Sequence, residues 1–153
     1  MEGKKVADTR VAMAQIMIPR DANPAGNIHG GVIVRLIDNA AYVVATRHAR
    51  TNVVTASIDR VDFHNPVYVG NLVHLRASVN MVGTTSMEIG VKVEAEDLRS
   101  GEIRHTASAY LTYVALDENG KPTQVPPLLL ETDEEKRRNQ EALERKKAKL
   151  RNG

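Results

Sequence analysis

The chain has 153 residues, 42% of them hydrophobic and 26% charged, a balance that excludes a disordered polymer and suits one globular domain. It contains no cysteine, which excludes disulfides, a thiolate nucleophile and thiolate-bound zinc. The net charge is only +2, and the basic residues of the tail are interleaved with acids, so neither composition nor charge points to a nucleic-acid partner. With aromatics at 3%, the core must be built from Val, Ile, Leu, Met and Ala. No apolar run follows the charges of Met1 to Arg10, so no signal peptide is expected. No stretch reaches the ~18 consecutive apolar residues of a membrane span, and the expectation is a cytoplasmic protein without a membrane partner.

In chain order, Val11 to Ile18 reads as a strand that Pro19 ends. Arg20 to Gly30 is a loop by composition. From Gly31 to about Ala49 apolar residues recur at three- and four-residue spacing. Val32, Leu36, Ala40 and Val43 form one stripe, and Ile33, Ile37, Ala41 and Ala45 widen it, which predicts a buried helix. Arg47, His48 and Arg50 suit the negative end of its dipole.

After Asn52 the period drops to two. Val53 to Phe63, Asn71 to Val82, Ser86 to Leu98 and Glu102 to Leu116 read as strands, with separators short enough for hairpins. Thr132 then opens a charged helix. Its T-x-x-E pattern with Glu135 predicts a capping box, and Glu134 with Arg138 and Glu141 with Arg145 predict ion pairs at four-residue spacing. With Leu143 and Leu150 as its main apolar residues, this tail is expected to be solvated and partly frayed, and a role in subunit contact or phosphate binding is the alternative. The division is a domain over 1–130 and a helical tail over 131–153. One apolar helix and a curved antiparallel sheet give an α+β class of the hotdog kind, although an open α+β sandwich would give the same order of elements.

The chemistry concentrates in Asp21 to Gly31 and in the helix that follows. Gly30 and Gly31 stand at the helix start, where N–H groups are unpaired and the dipole is positive, a setting that can hold a developing oxyanion. Asp38 is a carboxylate in an otherwise apolar helix, and Asn23 lies in the preceding loop, where an amide can orient water or a carbonyl. His29 is read as a bracing residue beside the glycines. Alone, the glycines also suit a tight turn and Asp38 a structural carboxylate. The combination is more specific than any member. Gly30 and Asp38 are eight residues apart, ~12 Å along a helix, so one helix cannot offer both to the same carbonyl. If both act, two opposed helices must meet, which predicts a dimer with shared sites.

Asn23 through Gly31 with Asp38, then Arg47-His48, Thr55, Asp62-Phe63, Pro66, Gly70 and Gly83 to Ser86, resembles the acyl-CoA hydrolase branch of the hotdog thioesterase superfamily. That branch includes YciA-type bacterial thioesterases and tandem-domain brain acyl-CoA hydrolases. The resemblance runs from about Ala12 to Pro127. It implies hydrolysis of acyl-CoA to coenzyme A and a carboxylic acid, with Asp38 as general base or, less readily, as nucleophile. It implies further that Asn23 comes from the opposed protomer and that Gly30 and Gly31 form the oxyanion hole. His29, Thr55, Arg60, Gly83, Thr85 and Ser86 would contact substrate. It also implies a homodimer with shared sites, assembled as a trimer of dimers. No cofactor or metal is called for, coenzyme A being part of the substrate. The competing readings are a hotdog enoyl-CoA hydratase or dehydratase, which would want a His–carboxylate pair, and a non-catalytic acyl-CoA-binding protein.

Overall fold

A computed structural model describes residues Met1–Asn152. A two-residue strand β1 (Lys4–Lys5) and a short helix α1 (Val6–Thr9) lead into β2 (Val11–Ile16). A 3-10 turn at Pro19–Asp21 and a loop follow, and then helix α2 (Gly30–Ala49). Strands β3 (Asn52–Phe63), β4 (Leu72–Val82), β5 (Ser86–Glu96) and β6 (Ile103–Leu116) come next. The chain ends in β7 (Leu128–Leu129), paired with β1, and helix α3 (Asp133–Asn152).

The main sheet has the order β2-β4-β5-β6-β3, and all its pairs are antiparallel. Its inner face alternates as the period of two predicts: Val73, Leu75, Ala77 and Val79 on β4, Met87, Ile89, Val91 and Val93 on β5, and Ala107, Ala109, Leu111 and Tyr113 on β6. Against this face α2 lays Ile33, Ile37, Ala40, Ala41, Val44 and Ala45, all at most 2% exposed. The alanines on both partners let helix and sheet approach closely, and each buried Ile or Leu contributes about 1.5–3 kcal/mol. This is the hotdog arrangement expected from the sequence.

Helix α3 crosses the opposite face of the sheet and corrects the expectation of a solvated tail. Ala142 is 0% exposed, and Arg145 reaches Glu88 on β5. Lys149 Nζ donates to Ser57 Oγ and Asp59 Oδ1 on β3, at 2.9 and 2.6 Å. Leu143 and Leu150, its main apolar residues, stay 36% and 73% exposed, so the contact is made by other side chains. The Glu141–Arg145 pair does not form, because Arg145 turns to the sheet and Glu141 pairs with Arg137; Glu134–Arg138 does form, at 2.9 Å. The cap is also rearranged. Thr132 Oγ1 accepts from the Glu135 N–H as predicted, whereas Glu135 reaches the N–H of Glu131 rather than that of Thr132.

Of the three residues the dipole argument selected for the C-terminal end of α2, only Arg50 caps it, and it does so through its backbone. Arg50 adopts φ 56 as a left-handed cap, and Lys4 Nζ donates to the carbonyls of Arg47 and His48 at 3.0 and 2.8 Å. Arg47 turns to the Arg10 carbonyl, and His48 is buried against the Pro126 carbonyl at 2.8 Å. Strand β3, twelve residues long and free of proline, is left at the edge of the sheet with Val54, Ile58 and Phe63 at least 40% exposed.

Candidate active site

Asp38 sits midway along α2, and its carboxylate meets the sheet. Oδ1 accepts a hydrogen bond from Thr55 Oγ1 on β3 at 2.9 Å and another from the Tyr113 hydroxyl on β6. That hydroxyl also lies 2.9 Å from the Asp38 carbonyl oxygen. Thr55 and Tyr113 are direct partners in the β3–β6 ladder, and one extra residue of β3, Ala56, follows at once as a bulge. Bulges commonly re-aim side chains beside functional sites. Oδ2 accepts no hydrogen bond among the described residues. Burial, followed by the bond to Asp38, pushes the Tyr113 hydroxyl far above its usual range, so it remains a protonated donor.

The loop before α2 supplies a second group. Asn23 Oδ1 accepts from the N–H groups of Ala25 and Asn27 at 3.0 and 3.2 Å, which folds Asn23 to Asn27 into a tight turn. The His29 N–H donates to the Asp21 carbonyl at 2.9 Å, and the His29 carbonyl begins the helix ladder by accepting from Val32. The His29 side chain is exposed and makes no cap, so it braces the loop through its backbone. A Cβ at Gly31 would meet nothing within 4 Å, and one at Gly30 only the Phe63 ring at 3.8 Å. Neither glycine has a positive φ. Among the described residues nothing therefore requires glycine at either position, while the first N–H groups of α2 point out unpaired. Asn23, Gly30, Ile33, Phe63 and Asn65 line one depression of ≈ 380 Å³.

The helix start and the Asp38 carboxylate therefore lie apart within the chain. Gly30 lies against Phe63 at one end of β3, and Asp38 lies against Thr55 at the other.

Residues 25–102 match the family model described as the thioesterase superfamily. The chain belongs to this superfamily. The curated relatives include an uncharacterized acyl-CoA thioester hydrolase, YkhA, of Bacillus subtilis, 43% identical over 84% of this chain and 74% of that protein. Among solved structures, an apo-hexameric acyl-CoA thioesterase is 39% identical, with a TM-score of 0.95 over 99% of this chain and 97% of that one. An acyl-CoA hydrolase from Staphylococcus aureus, solved in complex with butyryl coenzyme A and coenzyme A, is 35% identical, with a TM-score of 0.89 over 97% of this chain and 92% of that one. Three further structures of that hydrolase replace an asparagine, an aspartate or a threonine by alanine. The intervals between those three positions equal the intervals between Asn23, Asp38 and Thr55 here.

The other residues singled out in this thioesterase-superfamily chain lie apart from Asp38. Arg60 is exposed and paired with Asp62 at 2.7 Å on the same strand. Gly83, Thr85 and Ser86 form the β4–β5 turn, whose backbone is well bonded: Gly83 N–H donates to the Ser86 carbonyl, and the Thr85 carbonyl accepts from Ala115. Lys146 of α3 sits over this turn, its Nζ 3.0 Å from where a Gly83 Cβ would stand. A cleft of ≈ 800 Å³ lies between α3 and the outer face of the sheet, away from Asp38 and Gly30. Its arginines are mostly engaged, Arg76 by Glu94, Arg145 by Glu88, and Arg137 and Arg138 by Glu134. Among the described residues, no group of three or more His, Asp or Glu side chains is placed to hold a metal, and no helix is long and apolar enough to cross a membrane.

Tyr113 was not predicted. Its signal in the sequence is a hydroxyl in the inward row Ala107, Ala109, Leu111, Tyr113, Ala115, where every other member is aliphatic. That row shows that the hydroxyl needs a partner, but not which one.

Proposed function

We propose that this protein hydrolyses acyl-CoA thioesters to coenzyme A and a carboxylic acid, in the cytoplasm, at sites shared between two copies of the chain. The observation that carries the reading is the incompleteness of helix α2. It presents open amides at Gly30 and Gly31 and, eight residues on, a carboxylate with one unengaged oxygen, and nothing among the described residues closes the gap.

Strand β3 supplies the means of closing it. Phe63 and Thr55 are equidistant in sequence from Asp59, so antiparallel pairing of β3 with its own copy about Asp59 sets Phe63 of each chain beside Thr55 of the other. Gly30 follows Phe63 and Asp38 follows Thr55, which brings the two half-sites together twice per dimer. Three such dimers would form a homohexamer, the state named for the solved apo-hexameric thioesterase.

In the complete site the Gly30 N–H, with Gly31, polarises the thioester carbonyl. Asp38 takes a proton from water as that water attacks the carbonyl carbon, and Asn23 orients the water or the carbonyl. The tetrahedral intermediate expels coenzyme A as its thiol and leaves the carboxylic acid. His29, Thr55, Arg60, Gly83, Thr85 and Ser86 are assigned to substrate contact, with the turn from Gly83 to Ser86 at the nucleotide phosphates. No cofactor is assigned. The matching intervals of Asn23, Asp38 and Thr55 with the altered residues of the Staphylococcus aureus hydrolase support these roles. A hydratase reading finds no support, since His29 has no carboxylate partner among the described residues.

The test is release of free thiol from a panel of acyl-CoAs, from acetyl to palmitoyl. Turnover at some chain length is expected, and none at any length would overturn the reading. Mixing inactive Asn23→Ala and Asp38→Ala chains should restore part of the activity. No recovery after demonstrated subunit exchange would rule out shared sites.

A further inference from the structure

We propose that Tyr113 is a positioning residue for Asp38: with Thr55 it fixes the oxygen Oδ1, so that Oδ2 alone faces the reacting groups. The inference rests on the role given to Asp38 above and deepens it.

Four observations support it. Tyr113 is 0% exposed, and a buried hydroxyl is costly without a partner; its acceptors here both belong to Asp38. A phenylalanine would fill the same space, so packing does not account for the oxygen. Second, the hydroxyl reaches the carbonyl oxygen and the carboxylate of the same residue, tying the side-chain torsion of Asp38 to its own turn of α2. Third, both donors converge on Oδ1 and neither is charged. A cation there would neutralise the carboxylate as well as orient it, whereas two neutral donors orient it without adding a counter-charge. Fourth, Thr55 and Tyr113 are cross-strand partners, and the bulge at Ala56 breaks the alternation of β3 just after Thr55. The ladder register therefore delivers both hydroxyls to one oxygen.

The titratable groups at this point are few. Asp38 and, one turn on, Tyr42 come from α2, Tyr113 comes from β6, and β3 contributes the uncharged Thr55.

The experiment is the pH profile of kcat and kcat/KM for Tyr113→Phe beside the wild-type chain. Loss of a donor to the carboxylate destabilises its ionised form, so the acid limb should move up by about one pH unit. On the plateau kcat should fall about tenfold with KM unchanged, because the base is less well oriented. Growing the chain with 3-fluorotyrosine, whose hydroxyl is a stronger donor, should move the limb the other way without a substitution. A lowered kcat with an unmoved limb would mean that Tyr113 only packs, and overturns the inference. Carboxyl 13C titration of labelled aspartates, with the Asp38 signal identified by its loss in Asp38→Asn, reads the same contact without turnover. An Asp38 titration unmoved in Tyr113→Phe defeats the inference even if acyl-CoA is hydrolysed. A moved titration with no thiol release defeats the hydrolase reading alone.

Discussion

Two carboxylates lie on opposite faces of the same sheet and are held in opposite ways. Glu88, 4% exposed on the outer face, accepts both Nε and Nη2 of Arg145 at 3.0 and 2.8 Å and the Asn80 amide at 2.9 Å. Arg145 in turn stacks on Tyr110 at 3.7 Å, and its bond to Glu88 holds its own protonation still firmer than usual. Both of its oxygens are engaged. Asp38, on the inner face, has its neutral donors on one oxygen only. A carboxylate held on both oxygens by a bidentate arginine serves the fold. One held at Oδ1 and open at Oδ2 is available for proton transfer.

Substitutions should separate the two. Asp38→Asn keeps an acceptor for Thr55 and Tyr113 but removes the carboxylate proposed as the base. Acyl-CoA turnover should fall about 10³-fold with the melting temperature nearly unchanged, and parallel loss of both would erase the distinction. Glu88→Ala should do the reverse, leaving a guanidinium without its counter-ion at a cost of about 3 kcal/mol in urea unfolding, while activity per folded molecule persists.

His48 sharpens the contrast, being closed to solvent yet only half engaged: Nε2 bonds Pro126 and Nδ1 has no partner. Burial lowers its pKa below the usual 6.5; the Pro126 bond opposes this, and the Lys4 ammonium adds to it. Between the two pKa values the unfolded chain binds the extra proton, so stability is full above about pH 6.5 and declines as pH falls toward the folded value. Melting should drop by about 2–4 °C from pH 7 to 5.5, and His48→Gln, which keeps the donor to Pro126, should flatten that slope.

Much of this was legible in the sequence, for identifiable reasons. The period of two and the apolar stripe of α2 located the sheet and the central helix, because burial on one face leaves a repeating mark. Asp38 stood out as a charge inside that stripe, and the two glycines as residues without a Cβ at a helix start. What stayed hidden was who meets whom. Alternation places Tyr113 on the inner face without saying that Thr55 stands opposite it and that one carboxylate lies above both. The docking of α3 was equally illegible, since it depends on Ala142, Arg145 and Lys149 rather than on leucines. Four-residue spacing also paired Glu141 with Arg145, because helical geometry alone cannot know of Glu88 beneath.

The irregularities of β3 have a bearing on the cell as well as on the site. A long strand with an open edge is a hazard for any newly made chain, since it can recruit the edge of another protein. β3 departs from regular pairing twice, between Thr55 and Ser57 and again between Ile58 and Arg60. Each departure bends the strand and increases its twist, so a flat foreign strand cannot follow it for more than a few residues. The edge is thereby a poor template for indiscriminate pairing.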